Sequence, residues 1–132
     1  MRGPRVRSPL VRQAAGAAEL AEAPAGEPRL TEASLGAALG ERATLLQFSS
    51  AVCAPCRATR ALLAEVAGEA EGVAHVEVDV ADRLDLVRLL DVRRTPTVFV
   101  LGPDGQITRQ ASGLPRRADV LAAVADAQGA GR

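Results

Sequence analysis

The chain reads as an α/β domain with a mixed central sheet flanked by helices, and three observations predict it. Short apolar runs of strand length alternate with amphipathic stretches of helical period across residues 43–101. Alternation of that kind requires crossover connections and parallel pairing. The last two strand-like runs, Thr95–Gly102 and Gln106–Ser112, are separated only by Pro103-Asp104-Gly105, a tight turn that predicts an antiparallel hairpin and so makes the sheet mixed.

The elements follow in order. Residues 1–29 are rich in Pro, Gly, Ala and charge with no sustained apolar face, and are expected to form a flexible N-terminal arm with a hinge at Pro24–Pro28. Ala14 to Ala23 could support only a short, marginal helix. The domain itself is assigned to residues 30–128 and a disordered tail to 129–132. Thr31 or Ser34 can cap a short helix ending at Gly40. Ala43–Ser50 (ATLLQFSS) is apolar enough for a strand buried on both faces. In the helix after it, Leu62, Leu63 and Val66 face inward and Gly68 or Gly72 stops the chain. Val73–Val80 is a second strand; the next helix turns Leu84, Val87 and Leu90 inward, and the last one Val120, Leu121 and Val124.

Composition narrows the function. The 132 residues suit one domain with its own core. Sixteen basic residues, all Arg, balance sixteen acidic ones, which argues against nucleic-acid or membrane-surface binding driven by net charge. Phe48 and Phe99 are the only aromatic rings, so base stacking has little to work with. No run of about 18 apolar residues is present for a membrane span. The Arg-rich N-terminus, interrupted by Arg12, Glu19 and Glu22, lacks the apolar core of a signal peptide, and a cytoplasmic location is expected.

Both cysteines lie in Ser49–Arg60 (SSAVCAPCRATR), two residues apart where strand gives way to helix. A cysteine at a helix N-terminus meets unpaired N–H groups and the positive end of the helix dipole, and Arg57 and Arg60 add positive charge; all of these favour the thiolate. Pro55 fits an opening helical position, where its missing N–H costs nothing. Cys56 is within disulfide reach of Cys53, so the pair can serve as attacking and resolving thiols. Two other readings stand beside this one. Zinc wants four ligands, and the chain offers two cysteines and His75. A structural staple that closes so small a loop restricts little unfolded-chain freedom.

Beyond the cysteine pair, the chain resembles the thioredoxin family. That family has a strand ending in an aromatic residue, Trp-Cys-Gly-Pro-Cys-Lys/Arg at a helix start, a distant cis-proline strand, a Gly-containing hairpin turn and a glycine before the last helix. The matching residues are Phe48, Val52-Cys53-Ala54-Pro55-Cys56-Arg57, Thr95-Pro96-Thr97, Pro103-Asp104-Gly105 and Gly113. The resemblance implies a thioredoxin fold and a protein thiol–disulfide oxidoreductase. Cys53 is then the nucleophile, Cys56 the buried resolving thiol, Pro96 cis against the disulfide, and Thr95 a source of main-chain hydrogen bonds to an extended client. It implies no cofactor beyond the redox-active disulfide. The partners it implies are disulfide-containing protein substrates and a thioredoxin reductase or low-molecular-weight thiol as electron donor, with the protein a monomer that binds no nucleic acid.

Four departures mark this chain. Val52 stands where the family usually has Trp, which removes a client-facing ring. Ala54 replaces the commoner Gly, and the residues between the cysteines tune the potential. Gln47 occupies the position of a buried Asp; its amide can hydrogen-bond but does not titrate, so Cys56 is expected to lose its proton through water or to resolve more slowly. His75 falls where many relatives carry Lys, and could cover part of the lost relay. Asp79 and Asp104 read as turn or cap residues. Two further roles fit the same motif: a dedicated thiol-transfer or metal-delivery module of the kind used in cytochrome assembly, and a non-catalytic redox-sensing binding protein.

Overall fold

A central strand buried along its whole length organises the fold. The computed structural model describes residues 17–23 and 28–130. In chain order the elements are β1 (Ala21–Glu22), α1 (Glu32–Leu35), β2 (Ala43–Ser49), α2 (Ala54–Glu69), β3 (Val73–Asp79), α3 (Leu84–Leu89), β4 (Thr97–Leu101), β5 (Ile107–Ser112) and α4 (Arg117–Ala130). They build one five-stranded sheet in the order β1-β5-β4-β2-β3. β2 pairs with β3 in parallel and with β4 antiparallel, while β4 and β5 form the expected hairpin. The mixed sheet is therefore as read from the sequence.

Alternation along β2 divides the core in two. Leu46 and Phe48 point to one face, where they meet Phe99, Leu101, Val78 and the α1 and α3 residues Leu35 and Leu86. Ala43 and Leu45 point to the other, against Leu63 and Val66 of α2 and Val120, Val124 and Ala127 of α4. The chain's two rings meet edge to face at 5.8 Å on the α1/α3 side, a favoured aromatic geometry.

Several boundaries differ from the sequence reading. Residues 17–23, placed in the arm, are extended, and β1 pairs antiparallel with β5, so they add an edge strand. The Ala-rich composition hid this, because backbone pairing asks little of the side chains. The rest of the arm (1–16), most of the hinge (24–27) and tail residues 131–132 lie outside the described residues. α4 runs to Ala130, two residues into the expected tail.

α1 ends at Gly36 rather than Gly40: Thr31 and Ser34 form a reciprocal capping box, and Gly36 takes the left-handed conformation (φ 76°) that closes it. α2 continues through Gly68 and ends at Ala70. At α3, Val87 and Leu90 turn inward as expected and Leu86 joins them in the core, while Leu84 and Leu89 stay more than half exposed, because a six-residue helix presents only one face to the sheet. In α4, Leu121 is exposed and Ala123 and Ala127 take its place, since small residues let the helix lie close to β4 and β5. β4 starts at Thr97, two residues after the predicted Thr95, because Pro96 has no N–H for the ladder. No helix among the described residues is long and apolar enough to cross a membrane.

Two glycines with similar φ separate conformational strain from steric overlap. At Gly36 an added Cβ would meet open space, whereas at Gly105 (φ 82°) it would lie 1.8 Å from the Leu30 carbonyl oxygen. Gly36→Ala is expected to cost about 1 kcal/mol and Gly105→Ala about 3 kcal/mol or more. Urea unfolding followed by far-UV circular dichroism measures both; equal losses would refute the overlap at Leu30.

Candidate active site

β2 ends at Ser49, and four residues later the chain starts α2 with Cys53 as its N-cap, in extended conformation. Cys53 Sγ accepts the Cys56 N–H at 3.2 Å, so the sulfur takes the place an oxygen holds in an ordinary N-cap. Ala54 and Pro55 fill the first two helical positions, where Pro55 sacrifices no intrahelical bond. Cys53 and Cys56 are joined in a disulfide, their Cα atoms 5.2 Å apart. The two cysteines differ in access: Cys56 is 1% exposed and Cys53 is half-buried. Val52 beside them is 95% exposed. Arg57 is exposed on the first turn of α2 and forms no ion pair among the described residues.

The second loop arrives from β4. The Thr95–Pro96 peptide is cis, Pro96 is buried, and the hydroxyls of Thr95 and Ser50 lie 2.9 Å apart. That contact ties the loop before β4 to the loop carrying the cysteines. The Thr95 N–H and C=O have no main-chain partner among the described residues. Pro96 instead uses its carbonyl, which accepts from Gly113 N–H at 2.7 Å. Val52, Cys53, Thr95, Pro96 and Gly113 are thus gathered at one end of the sheet.

Beneath Cys56 lies a chain of polar groups created by strand parity. Residues 47 and 49 of β2 point to the α2 side, as do 75 and 77 of β3, and the parallel register sets Gln47 beside Glu77. Gln47 is fully buried. Its Nε2 donates to the Cys56 carbonyl at 3.0 Å and to Ser49 Oγ at 2.9 Å. Ser49 Oγ donates to Glu77 at 2.8 Å, and Arg60 of α2 grips the same carboxylate through two nitrogens at 2.6 and 2.8 Å.

Because both amide hydrogens of Gln47 are used, its oxygen must be the acceptor toward His75 Nε2 at 3.0 Å, which fixes His75 as the Nε2–H tautomer when neutral. Protonation then falls on Nδ1 and leaves the bond to Gln47 intact. Burial pushes the His75 pKa down, partly offset by the Glu77 carboxylate and reinforced by Arg60. The Arg60 hydrogen bond holds the Glu77 carboxyl below its ordinary range.

The structure brings together the predicted Cys53, Ala54, Pro55, Cys56, Val52, Thr95 and Pro96, and sets Gln47 and His75 behind them. One electrostatic expectation is corrected: Arg60 is bound to Glu77, so its charge is largely neutralised and Arg57 is left as the unpaired cation of that stretch. Gln47 meets the main chain of Cys56 and acts as a support for it. Ser49, Ser50 and Glu77 were missed. Parity would have found Ser49 and Glu77, since both lie two residues beyond a residue already singled out. Asp79 is a turn residue, its carboxylate accepting the Ala81 N–H at 2.8 Å.

The thioredoxin family profile matches residues 29–127. The chain belongs to the thioredoxin family. Thioredoxin H5 of Oryza sativa subsp. japonica is 33% identical over 72 residues, an alignment spanning 54% of this chain and 53% of the rice protein. The chain thus matches about half the length of that relative. Among solved structures, chloroplastic thioredoxin z superposes with a TM-score of 0.60 at 24% identity, covering 67% of this chain and 80% of the other. Thioredoxin F from spinach chloroplast gives 0.60 at 21% identity, covering 74% and 82%. These likenesses establish the thioredoxin fold.

The polar chain has a consequence for acid stability. With the His75 pKa below the ordinary value of about 6.5, the unfolded chain takes up the proton first, so stability falls as pH drops below about 6.5 and levels off once the folded value is passed. Glu77, also lowered, contributes fully above the ordinary carboxyl range and is lost at more acidic pH. His75→Gln should flatten the slope just below pH 6.5 and leave the more acidic loss in place. Urea midpoints at pH 7.5, 6.5 and 5.5 test this, and an unchanged slope would show that His75 is not its source.

Proposed function

We propose that the chain is a protein thiol–disulfide oxidoreductase working in the reducing direction through Cys53 and Cys56. The observation that carries this reading is the unequal pair at the α2 N-terminus, one cysteine half-buried and one buried, beside a Thr95 main chain without partners among the described residues. Reduced Cys53, as thiolate, attacks one sulfur of a client disulfide. A Cys53–client bond forms, and the other client sulfur leaves as thiolate. Cys56, on losing its proton to solvent or to the departing thiolate, attacks Cys53 Sγ. The client leaves with both sulfurs reduced and Cys53–Cys56 oxidised. Two electrons have moved, and a dithiol or a reductase must return them. No further cofactor is required, since the sulfurs carry the electrons.

The helix N-terminus supports the thiolate on Cys53, because the N–H that now caps onto its sulfur stabilises negative charge there. Thr95 is suited to main-chain bonding with an extended client segment, and Val52 offers a small apolar contact in place of a ring. Gln47 holds the backbone of Cys56 rather than exchanging its proton, because the amide reaches the carbonyl and does not titrate, and His75 reaches Cys56 only through the Gln47 oxygen.

The decisive experiment pairs a variant with a potential. Cys56→Ser should accumulate covalent mixed disulfides with clients through Cys53, and Cys53→Ser should accumulate none. Equilibration of the parent in dithiol buffers, with free thiols counted by alkylation and mass, should place the couple near the roughly −270 mV of thioredoxin. A value near the roughly −120 mV of a strong oxidant would reverse the direction. Absence of trapped species would leave a non-covalent redox-sensing binder as the better reading.

A further inference from the structure

The edge strand β1 leads to the end of the sheet that holds the cysteines. Its register on β5, Ala21 with Gln110 and Glu22 with Arg109, carries the preceding residues toward the C-terminal end of β5. That end lies beside the start of β4, where Thr97 faces Ser112, and the start of β4 lies beside the end of β2, where Phe48 faces Thr97. Ala18 is therefore at the same end of the sheet as Cys53.

A short series of contacts joins Ala18 to Pro96. The Ala18 N–H donates to the Leu114 carbonyl at 2.7 Å. Ala18 is 7% exposed, the only buried residue in 17–23, and a Cβ added at Gly113 would lie 3.2 Å from its methyl. Gly113 in turn gives its N–H to the Pro96 carbonyl at 2.7 Å. Gly113 is thus held between Ala18 on one side and Pro96 on the other, at a φ of 110° that suits glycine. The rest of the segment is held along β5 and away from Gly113, by the β1 ladder, the Ala23 N–H on the Thr108 carbonyl at 3.2 Å, and Leu20 and Ala23 packed against the core. An open cleft of about 350 Å³, lined by Ala17, Ala18, Glu19, Leu20, Asp119 and Ala122 among others, lies between residues 17–20 and α4. The ion pairs of Arg109 with Glu22 and Asp126 reach exposed carboxylates, which contribute little. Ala18 concentrates the strap's hold on the loop.

We propose that residues 17–23 are a strap that positions the Pro96 side of the client groove, with Ala18 as the positioning residue and recognition of protein disulfides as the property it sets. This rests on the oxidoreductase reading. Loss of the Ala18 contact frees Gly113–Pro115 and with it the Pro96 carbonyl, so the adjoining Thr95 main chain meets the client in a less fixed geometry. The loss falls on client binding. Thiol exchange itself depends on α2, which the strap does not touch through Gly113, and so is spared.

The test uses the 132-residue chain with dithiothreitol as reductant. Ala18→Pro removes the N–H. Ala18→Arg keeps it but does not fit against Gly113. Ala18→Ser keeps both the N–H and nearly the same size. With insulin as protein disulfide, Ala18→Pro and Ala18→Arg should each raise KM about fivefold with kcat within about twofold, and leave the rate with a small aromatic disulfide unchanged. Gly113 amide hydrogen exchange should quicken about tenfold in both, and Ala18→Ser should match the parent. Parent inactivity toward insulin would sink the oxidoreductase reading itself. With an active parent, an unchanged KM, an equal loss with the small disulfide, or unaltered Gly113 exchange would each overturn the strap's role.

Discussion

An amide placed in a strand with no access to water must find its partners inside the protein, and at Gln47 that requirement shapes everything behind the cysteines. β2 is buried at every residue, so Gln47 is satisfied only by the Cys56 carbonyl, Ser49 and His75. Each contact recruits another. Ser49 leads to Glu77, and Glu77 draws Arg60 across from α2. The amide thereby couples the first turn of α2 to the sheet beneath it. A buried group left unsatisfied costs about 1–3 kcal/mol, so the buried part of this polar chain, at Gln47 and Ser49, is held together by a penalty for breaking it, whereas the exposed Arg60–Glu77 end can turn to water.

The functional end of the sheet follows from topology. β2 delivers the cysteines at its C-terminal end, and the antiparallel β4 begins at that same end with Thr95–Pro96 before it. The hydroxyl contact between Ser50 and Thr95 joins the two loops directly. A half-buried cysteine and a stretch of main chain without partners among the described residues lie at one end of the sheet because one strand leaves where its neighbour enters.

Much of this was legible in the sequence. The hairpin could be read because Pro103-Asp104-Gly105 admits few alternatives, and β2 because ATLLQFSS carries no polar alternation. The cysteine site was readable since the spacing, Pro55 and the strand–helix junction all agree. Other features escaped for identifiable reasons. β1 itself is Ala21–Glu22, both exposed and held by backbone bonds, so its side chains announce nothing. In α3 and α4 the leucines compete for a narrow inward face, and Leu84 and Leu121 lost to Leu86 and to the alanines 123 and 127. Ser49 and Glu77 escaped because a polar residue in a strand reads as exposed unless its register against the neighbouring strand is known.

The cap at Cys53 ties redox state to folding. Oxidation, reduction and unfolding of the couple form a closed thermodynamic cycle, so the difference in unfolding free energy between the two redox forms must equal the difference in potential between the folded and unfolded couples. A sulfur that receives the Cys56 N–H does so best when it carries negative charge. The Cys53 thiolate gains more from that bond than the disulfide does, so the cap taken by itself moves the folded couple toward more oxidising potentials than the unfolded chain. Resistance to denaturant, compared between the two states, therefore reports how far folding shifts the couple's potential from that of the unfolded chain, with no redox buffer present.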